Sequence, residues 1–253
     1  MSENGKSKLK PSRILLILVF ILPLFLWFGR EIVTGQTIWF FRAADLADMV
    51  IVAPIYAIFL IYLILYMVRN EPPLGLLVAF IAFSFLFMYG HSMHATANTI
   101  NTYSTEVQDY KDILPQDTYA LIYFLDEVLS HIILFVATTG LIGCWLIFEE
   151  SVQASSLFPQ NPIFIFIIGI IYGFVQSYAA VEAQMVWILI FMFSILLVIW
   201  FYYWRRSSLS LPNFLRENPF SSFVVIMALF SFIATLTYGA IYGGFPQPSE
   251  TGL

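Results

Sequence analysis

The fold is decided by residues 163–204, IFIFIIGIIYGFVQSYAAVEAQMVWILIFMFSILLVIWFYYW, an apolar stretch in which Glu182 is the only charged residue. A single helix of this length would be about 60 Å long at 1.5 Å per residue, about twice the hydrocarbon thickness of a bilayer. Two helices joined by a tight turn near Glu182 fit a bilayer better. The stretch therefore predicts two consecutive membrane spans.

The composition extends this prediction to the whole chain. Hydrophobic residues make up 60% of the 253 residues, charged residues make up 11%, and the mean hydropathy is +0.85. Soluble proteins carry about 25% charged residues. We therefore predict an all-α, multi-pass bundle of the cell membrane, with residues 1–253 forming one integral membrane domain. Its seven predicted spans are residues 14–29, 49–68, 74–95, 119–148, 162–181, 183–204 and 220–242.

The positions of the basic residues predict the orientation. Cytoplasmic loops of membrane proteins carry an excess of Lys and Arg. With the N-terminus inside, eight of the 11 basic residues are cytoplasmic. This predicts an N-inside, C-outside topology, with a cytoplasmic tail at 1–13 and an extracytoplasmic tail at 245–253. The eight are Lys6, Lys8, Lys10, Arg13, Arg69, Arg205, Arg206 and Arg216, and the other three are Arg30, Arg42 and Lys111.

The three histidines of the chain, His91, His94 and His131, lie in or beside the third and fourth predicted spans. Ionisable groups at membrane depth are costly, so they usually pair, line a cavity or bind a ligand. His91 and His94 share one helical face, as do Glu127 and His131. For the two faces to meet at the same depth, the third helix must continue past His94 to about residue 100.

This spacing is typical of bundle proteins that present metal ligands inward. We predict a metal site held by His91, His94, His131 and Glu127. Asp126 points away from Glu127 on an ideal helix, so the two carboxylates are expected to differ in role, one binding the metal and the other orienting a histidine or activating water. Zinc is favoured, and iron or copper would also suit these ligands. Further candidates for the site are Ser92, Asn98 and Glu182.

A resemblance supports the zinc prediction. Ser92 and His94 on one span and Leu125-Asp126-Glu127 in the next are similar to the motifs of the seven-span metal hydrolases that include alkaline ceramidases and progestin/adiponectin receptors. The resemblance implies that His94 is a zinc ligand and that Asp126 holds the zinc-bound water. It covers about 40 residues. The histidine pair that this family carries in its last helix is missing here.

The function predicted from these residues is a membrane-embedded, metal-dependent enzyme acting on a lipid or other apolar substrate, with hydrolysis favoured over oxidation. One alternative is an electron-transfer subunit with a b-type haem between two histidines. Another is a non-enzymatic subunit of a larger membrane complex, or a proton relay through Asp126, Glu127, His131 and Glu182. The chain has no basic stripe for nucleic acid, so the expected partners are membrane lipids and the substrate.

Overall fold

Six long helices make up most of the described residues, which in this computed structural model are 37–38, 41–103, 115–152 and 161–251. Each is long and apolar enough to cross a membrane, so the prediction of a helical multi-pass protein is confirmed at that level. Before the first of them, Thr37 pairs with Arg42 and Ile38 with Phe41 in a short antiparallel ladder. In chain order, the elements are β1 (Thr37–Ile38), β2 (Phe41–Arg42), α1 (Ala43–Ala47), a π-helical turn (Asp48–Val52), α2 (Ala53–Arg69), α3 (Leu74–Thr102), α4 (Gln116–Tyr123), a second π-helical turn (Phe124–Leu129), α5 (Ser130–Val152), α6 (Pro162–Glu182), α7 (Val186–Arg206), α8 (Leu211–Glu217), α9 (Pro219–Tyr242) and α10 (Pro248–Thr251).

These helices match six of the seven predicted spans. The first predicted span, residues 14–29, lies outside the described residues. The third predicted span was drawn to end at residue 95, but α3 continues to Thr102. The sequence analysis expected such an extension, because the histidines of two helices had to lie at the same depth. Thr99 supports this extension because its hydroxyl donates to the Ala95 carbonyl, one turn back and 2.8 Å away.

The turn predicted near Glu182 is confirmed. α6 ends at Glu182 and α7 begins at Val186. Gln184 lies between them with φ of 57°, in the left-handed region that such a tight reversal uses. Its side chain donates to the Phe245 carbonyl at 2.7 Å, which ties the turn to the segment after α9.

α6 and α9 pack in parallel along a row of small residues. Gly169, Gly173 and Ser177 are spaced four apart on α6, the pattern that lets membrane helices approach closely. A methyl group on Gly173 would lie 2.6 Å from the Met227 carbonyl oxygen of α9. The Ser177 and Thr235 hydroxyls, both buried, are 2.7 Å apart. These contacts hold the two helices together with very little side-chain volume between them.

α3 and α5 pack antiparallel through two further glycines. A methyl group on Gly90 would lie 2.8 Å from Cγ2 of Ile133, and one on Gly140 would overlap the ring of Phe83. Gly90 is one turn from His94, so this close contact fixes the distance between the two helices that carry the candidate site.

Glu149 joins the end of α5 to the start of α9 inside the bundle. Its carboxylate accepts from the backbone N–H groups of Phe220 at 3.1 Å and Ser221 at 3.0 Å, and from the Ser221 hydroxyl at 3.3 Å. The first N–H groups of a helix have no partner within the helix and carry a partial positive charge. Asn218, which precedes α9, makes no side-chain cap. Glu149 therefore caps α9 from another helix.

These contacts define two ends of the bundle. The histidine end comprises the end of α3, the start of α4, the turn between α6 and α7, and the end of α9. The arginine end comprises the end of α2, the end of α5, the loop around α8, and the start of α9. Four arginines lie at the arginine end, namely Arg69, Arg205, Arg206 and Arg216.

Candidate functional site

The site begins with the π-helical turn at Phe124–Leu129, which interrupts the long helix between Gln116 and Val152. In such a turn, a residue lies over the one five positions earlier rather than four, and π-turns are frequent at functional sites. The Ser130 N–H accordingly donates to the carbonyl of Leu125. The turn brings Asp126, in place of Glu127, into register with His131.

Asp126 is the centre of the site. Its side chain is fully buried, and its Oδ1 atom lies 3.0 Å from Nδ1 of His94, within ion-pair distance if His94 is protonated. The His94 side chain is 30% exposed, so the pair is buried on one side and accessible on the other. A buried carboxylate is stable only when partners compensate its charge, and His94 is placed to do so.

His131 completes the arrangement from the next turn of the same helix. Its Nδ1 atom lies 3.1 Å from the backbone oxygen of Asp126, and the Ser130 hydroxyl donates to the same oxygen. The His94 and His131 rings meet edge to face, with their centres 4.7 Å apart. Both imidazoles therefore contact one residue and each other.

Asn101 is a member of this site that the sequence analysis did not name. Its side-chain amide donates to Oδ2 of Asp126 at 3.3 Å. It lies two helical turns after His94, on the face that His94 and Asn98 already mark. Extending that face by one more turn would have found it. We call His94, Asn101, Asp126, Ser130 and His131 the Asp126 cluster.

The hydrogen bonds indicate which ring nitrogens are available for chemistry. The Nδ1 atoms of His94 and His131 bond to the same backbone oxygen of Asp126, at 3.4 and 3.1 Å, and a carbonyl oxygen can only accept, so each Nδ1 carries a proton in the bonded state. In neutral His94 and His131, the lone pair is then on Nε2. The cluster thus offers two oriented bases, in the manner of histidines held by a neighbouring carboxylate or carbonyl.

The structure places the other histidine in a different environment. The His91 ring stacks on Phe87, with ring centres 6.2 Å apart, and meets the edge of Tyr56 at 5.9 Å. His91 thus packs toward α2, among aromatic side chains. Asn98 contacts α1, because its side-chain amide donates to Oδ1 of Asp45 at 2.9 Å. Neither contact belongs to the Asp126 cluster.

The three remaining candidates lie at different places. Glu127 is half-buried next to Asp126 in the π-turn. Glu182 is at the turn between α6 and α7, where its backbone carbonyl accepts from the side chain of Gln247 at 2.7 Å. Ser92 faces the outside of the bundle. The cluster is therefore built from fewer of the predicted residues than the sequence analysis proposed.

The donor set of the cluster bears on the predicted metal. Within residues 37–38, 41–103, 115–152 and 161–251, no group of three or more His, Cys, Asp and Glu side chains is placed to hold a metal ion. Catalytic zinc usually has three protein ligands. The cluster contains two histidines, His94 and His131. It is one ligand short of such a site, and zinc binding stays a prediction.

The spacing of the rings also bears on haem. An iron between two imidazoles, at about 2 Å from each nitrogen, would hold the ring centres roughly 6 Å apart. The His94 and His131 centres are closer than that, at 4.7 Å. The two rings touch each other directly, which leaves no space for a macrocycle between them.

An open groove of about 350 Å³ lies beside the cluster, between α3 and α4 on the outside of the bundle. Its lining is mainly apolar and includes Ser92, Met93, Thr96, Ala97, Ile122 and Leu125. Ala97 lies one turn from both His94 and Asn101, so only a small side chain separates the groove from the cluster at that point.

Comparison with known proteins assigns no family to the chain. No protein-family model, no curated protein and no solved structure matches it. The resemblance to the seven-span metal hydrolases therefore stays a prediction, and the function has to be argued from the geometry of the Asp126 cluster.

Proposed function

We propose that this protein is a membrane-embedded enzyme that hydrolyses a lipid or other apolar substrate, with His94, Asp126 and His131 as its acid–base centre. One observation carries the proposal: the backbone oxygen of the fully buried Asp126 bonds to both imidazoles, and its carboxylate lies 3.0 Å from Nδ1 of His94. Acid–base catalysis needs a base of fixed orientation within reach of the substrate. The groove beside the cluster supports an apolar substrate.

The chemistry follows from the arrangement of protons. His94 takes a proton from water through Nε2 while the water oxygen forms a bond to the substrate carbonyl carbon. The carbonyl carbon then loses its bond to the leaving group, and His94 returns the proton to that group. The backbone oxygen of Asp126 accepts from Nδ1 and orients the ring, and its carboxylate, 3.0 Å from Nδ1, stabilises the positive charge that the ring gains. Asn101 keeps the second carboxylate oxygen bonded, so Asp126 stays in position.

Metal binding belongs to the same proposal. His94 and His131 would bind zinc, the favoured metal, through Nε2, and Asp126 would orient His94 behind it. A bound zinc ion would make the attacking water more acidic. Asp126 and Ser130 would orient the imidazoles with or without the metal, because both residues lie on the Nδ1 side of the rings.

The proposed topology rests on the positions of the basic residues. The four arginines at the arginine end favour a cytoplasmic location for that end. The histidine end then faces outward, and the Asp126 cluster lies in the outer half of the cell membrane. Counting the predicted span at residues 14–29, this gives seven spans with the N-terminus inside.

A proton relay is the second candidate function, favoured by the direct contact of His131, Asp126 and His94. Such a chain can pass a proton between its ends without a substrate. Proton uptake by liposomes that contain the purified protein distinguishes this function from hydrolysis.

The enzyme proposal is tested with the full chain purified in mild detergent without chelators. A panel of lipid esters and amides is incubated with the protein, and the products are measured by mass spectrometry. We expect Asp126→Asn and His94→Ala each to lower the hydrolysis rate by about 10²- to 10⁴-fold. His91→Phe is the matched control, since His91 packs among aromatic rings, and it should retain the rate.

Elemental analysis of the same samples tests the metal. Zinc near one equivalent in the wild type, lost in His94→Ala and His131→Ala and kept in His91→Phe, is the expected result. Equal rates in the wild type and in Asp126→Asn would contradict the acid–base role. Equal metal content in the wild type and both histidine-to-alanine variants would contradict the ligand assignment.

A further inference from the structure

The polar residues of α3 near the histidine end form two pairs on adjacent sides of the helix. His91 and Asn98 are seven residues apart, and so are His94 and Asn101. Seven residues are almost two turns, so the members of a pair point in nearly the same direction, and the two pairs differ by about 60° around the helix. His91 and Asn98 contact α2 and α1, whereas His94 and Asn101 contact Asp126.

Each pair is joined to its neighbouring element by a bond between an asparagine and a carboxylate. Oδ1 of Asp45, in α1, accepts from the Asn98 amide at 2.9 Å, and Oδ2 of Asp126 accepts from the Asn101 amide at 3.3 Å. α1 runs directly into the first π-helical turn, and Asp126 lies within the second. β2, α1 and the first π-helical turn all contact α3. The end of α3 is therefore bonded on two sides to carboxylates beside π-helical turns, which are frequent at functional sites.

The rotation of α3 about its axis decides whether His94 reaches Asp126. The side of α3 away from both pairs is exposed, at Ser92, Thr96 and Ile100, so the contacts on the two polar sides fix this rotation. A ring nitrogen about 5 Å from the helix axis shifts by about 0.9 Å when the helix rotates by about 10°. A displacement of about 1 Å is enough to impair catalysis.

We propose that Asp45 is a positioning residue for the Asp126 cluster, because its bond to Asn98 sets the rotation of α3 at which Nδ1 of His94 bonds to Asp126. Asp45 acts through α3 rather than on the reacting atoms. His131 does not depend on this rotation, since its Nδ1 bonds to the backbone oxygen five residues earlier in its own helical segment. The two histidines of the cluster should therefore respond differently to the loss of Asp45.

This inference rests on the proposed function for its effect on hydrolysis. Its effect on the His94 ring is measured without turnover. If the wild type hydrolyses no lipid of the panel while the His94 ring responds to the loss of Asp45, the proposed hydrolysis fails and the positioning role stands.

The test is ¹⁵N NMR of the full chain, labelled at the histidine rings and held in mild detergent at alkaline pH, where the imidazoles are neutral. A ring held in one tautomer gives separate signals for its protonated and unprotonated nitrogens, whereas a ring that exchanges between tautomers gives averaged signals. Single substitutions of the three histidines assign the signals. In the wild type, we expect His94 and His131 each in one tautomer, with Nδ1 protonated.

In Asp45→Ala, the His94 signals should become averaged and the His131 signals should stay separate. Asp45→Asn keeps an acceptor oxygen for Asn98, so it should keep the His94 tautomer. The matched control is Asp117→Ala, which removes an exposed carboxylate from the first turn of α4, another short helix at the histidine end, and should change neither ring.

A second variant keeps the proposal testable if Asp45→Ala does not fold. Asn98→Ala removes the same hydrogen bond from the side of α3 and should also average the His94 signals. With the lipid panel, either variant should lower kcat by about 3- to 20-fold, the contribution of one hydrogen bond between membrane helices, and leave KM unchanged.

Separate His94 signals in Asp45→Ala and in Asn98→Ala would overturn the proposal. Averaged signals of both His94 and His131 would overturn it as well, because they would show a general loss of structure at the histidine end rather than a rotation of α3. Averaging of the His94 signals in Asp117→Ala would have the same consequence.

Discussion

Replacing Glu149 by alanine should destabilise the protein more than any other single change of a charged residue at the arginine end. The carboxylate is 3% exposed and accepts three hydrogen bonds from the start of α9. Without it, the N–H groups of Phe220 and Ser221 are left buried and unpaired. Each such group costs about 1–3 kcal/mol, so the expected loss in free energy of unfolding is about 2–6 kcal/mol.

The matched control is the neighbouring carboxylate. Glu150 is less buried, and its nearest described partner is the Ser221 hydroxyl at 3.5 Å, which is too long for a strong bond. Glu150→Ala should therefore cost less than about 1 kcal/mol. Glu149→Gln keeps one acceptor oxygen of the original two, so we expect an effect between those of the two alanine variants.

The assay is reversible unfolding in mixed micelles, with SDS titrated against a mild detergent and helix content followed by circular dichroism. Free energies of unfolding are compared for the wild type, Glu149→Ala, Glu149→Gln and Glu150→Ala. Equal losses for the two alanine variants would refute the reasoning that Glu149 caps α9. A loss in Glu149→Gln as large as in Glu149→Ala would show that the negative charge, rather than the acceptor count, stabilises the helix end.

Two further predictions concern the packing of α6 on α9, and both are measured in the same unfolding assay. Gly173→Ala should destabilise the protein by about 1–3 kcal/mol, because its methyl group would meet backbone atoms of α9, whereas Gly75→Ala, with open space around it, should have little effect. Similar losses for the two would contradict the close approach. A double-mutant cycle of Ser177→Ala and Thr235→Val should give a coupling energy of about 0.6 kcal/mol, and a coupling of zero would mean that the two hydroxyls do not bond to each other.

The membrane class and the positions of the helices could be predicted from the sequence because they depend on local composition. An apolar run of about 20 residues is long enough to cross a bilayer wherever it occurs in a chain. The break near Glu182 follows from the length of the apolar stretch alone. The extension of α3 beyond residue 95 could also be predicted, because the polar residues of the site had to reach the same depth.

The partners of Asp126 could not be predicted in the same way. An ideal α-helix puts Glu127 on the face of His131 and turns Asp126 away from it. The π-helical turn at Phe124–Leu129 shifts that register by one residue, so Asp126 takes the buried position between the histidines. Residue spacing by itself does not show where a helix changes its period.

The sequence by itself therefore determined that this protein is a helical membrane protein. It also located the polar residues of the third and fourth predicted spans that had to lie at the same depth. Tertiary structure alone decided that His94 and His131 meet at Asp126, that His91 packs against Tyr56 of α2, and that Glu149 caps a helix about 70 residues further along the chain. The physical reason is the range of the interactions. Burial in lipid depends on neighbouring residues, whereas hydrogen bonds between helices depend on the distance and rotation of whole helices, which the glycine contacts set.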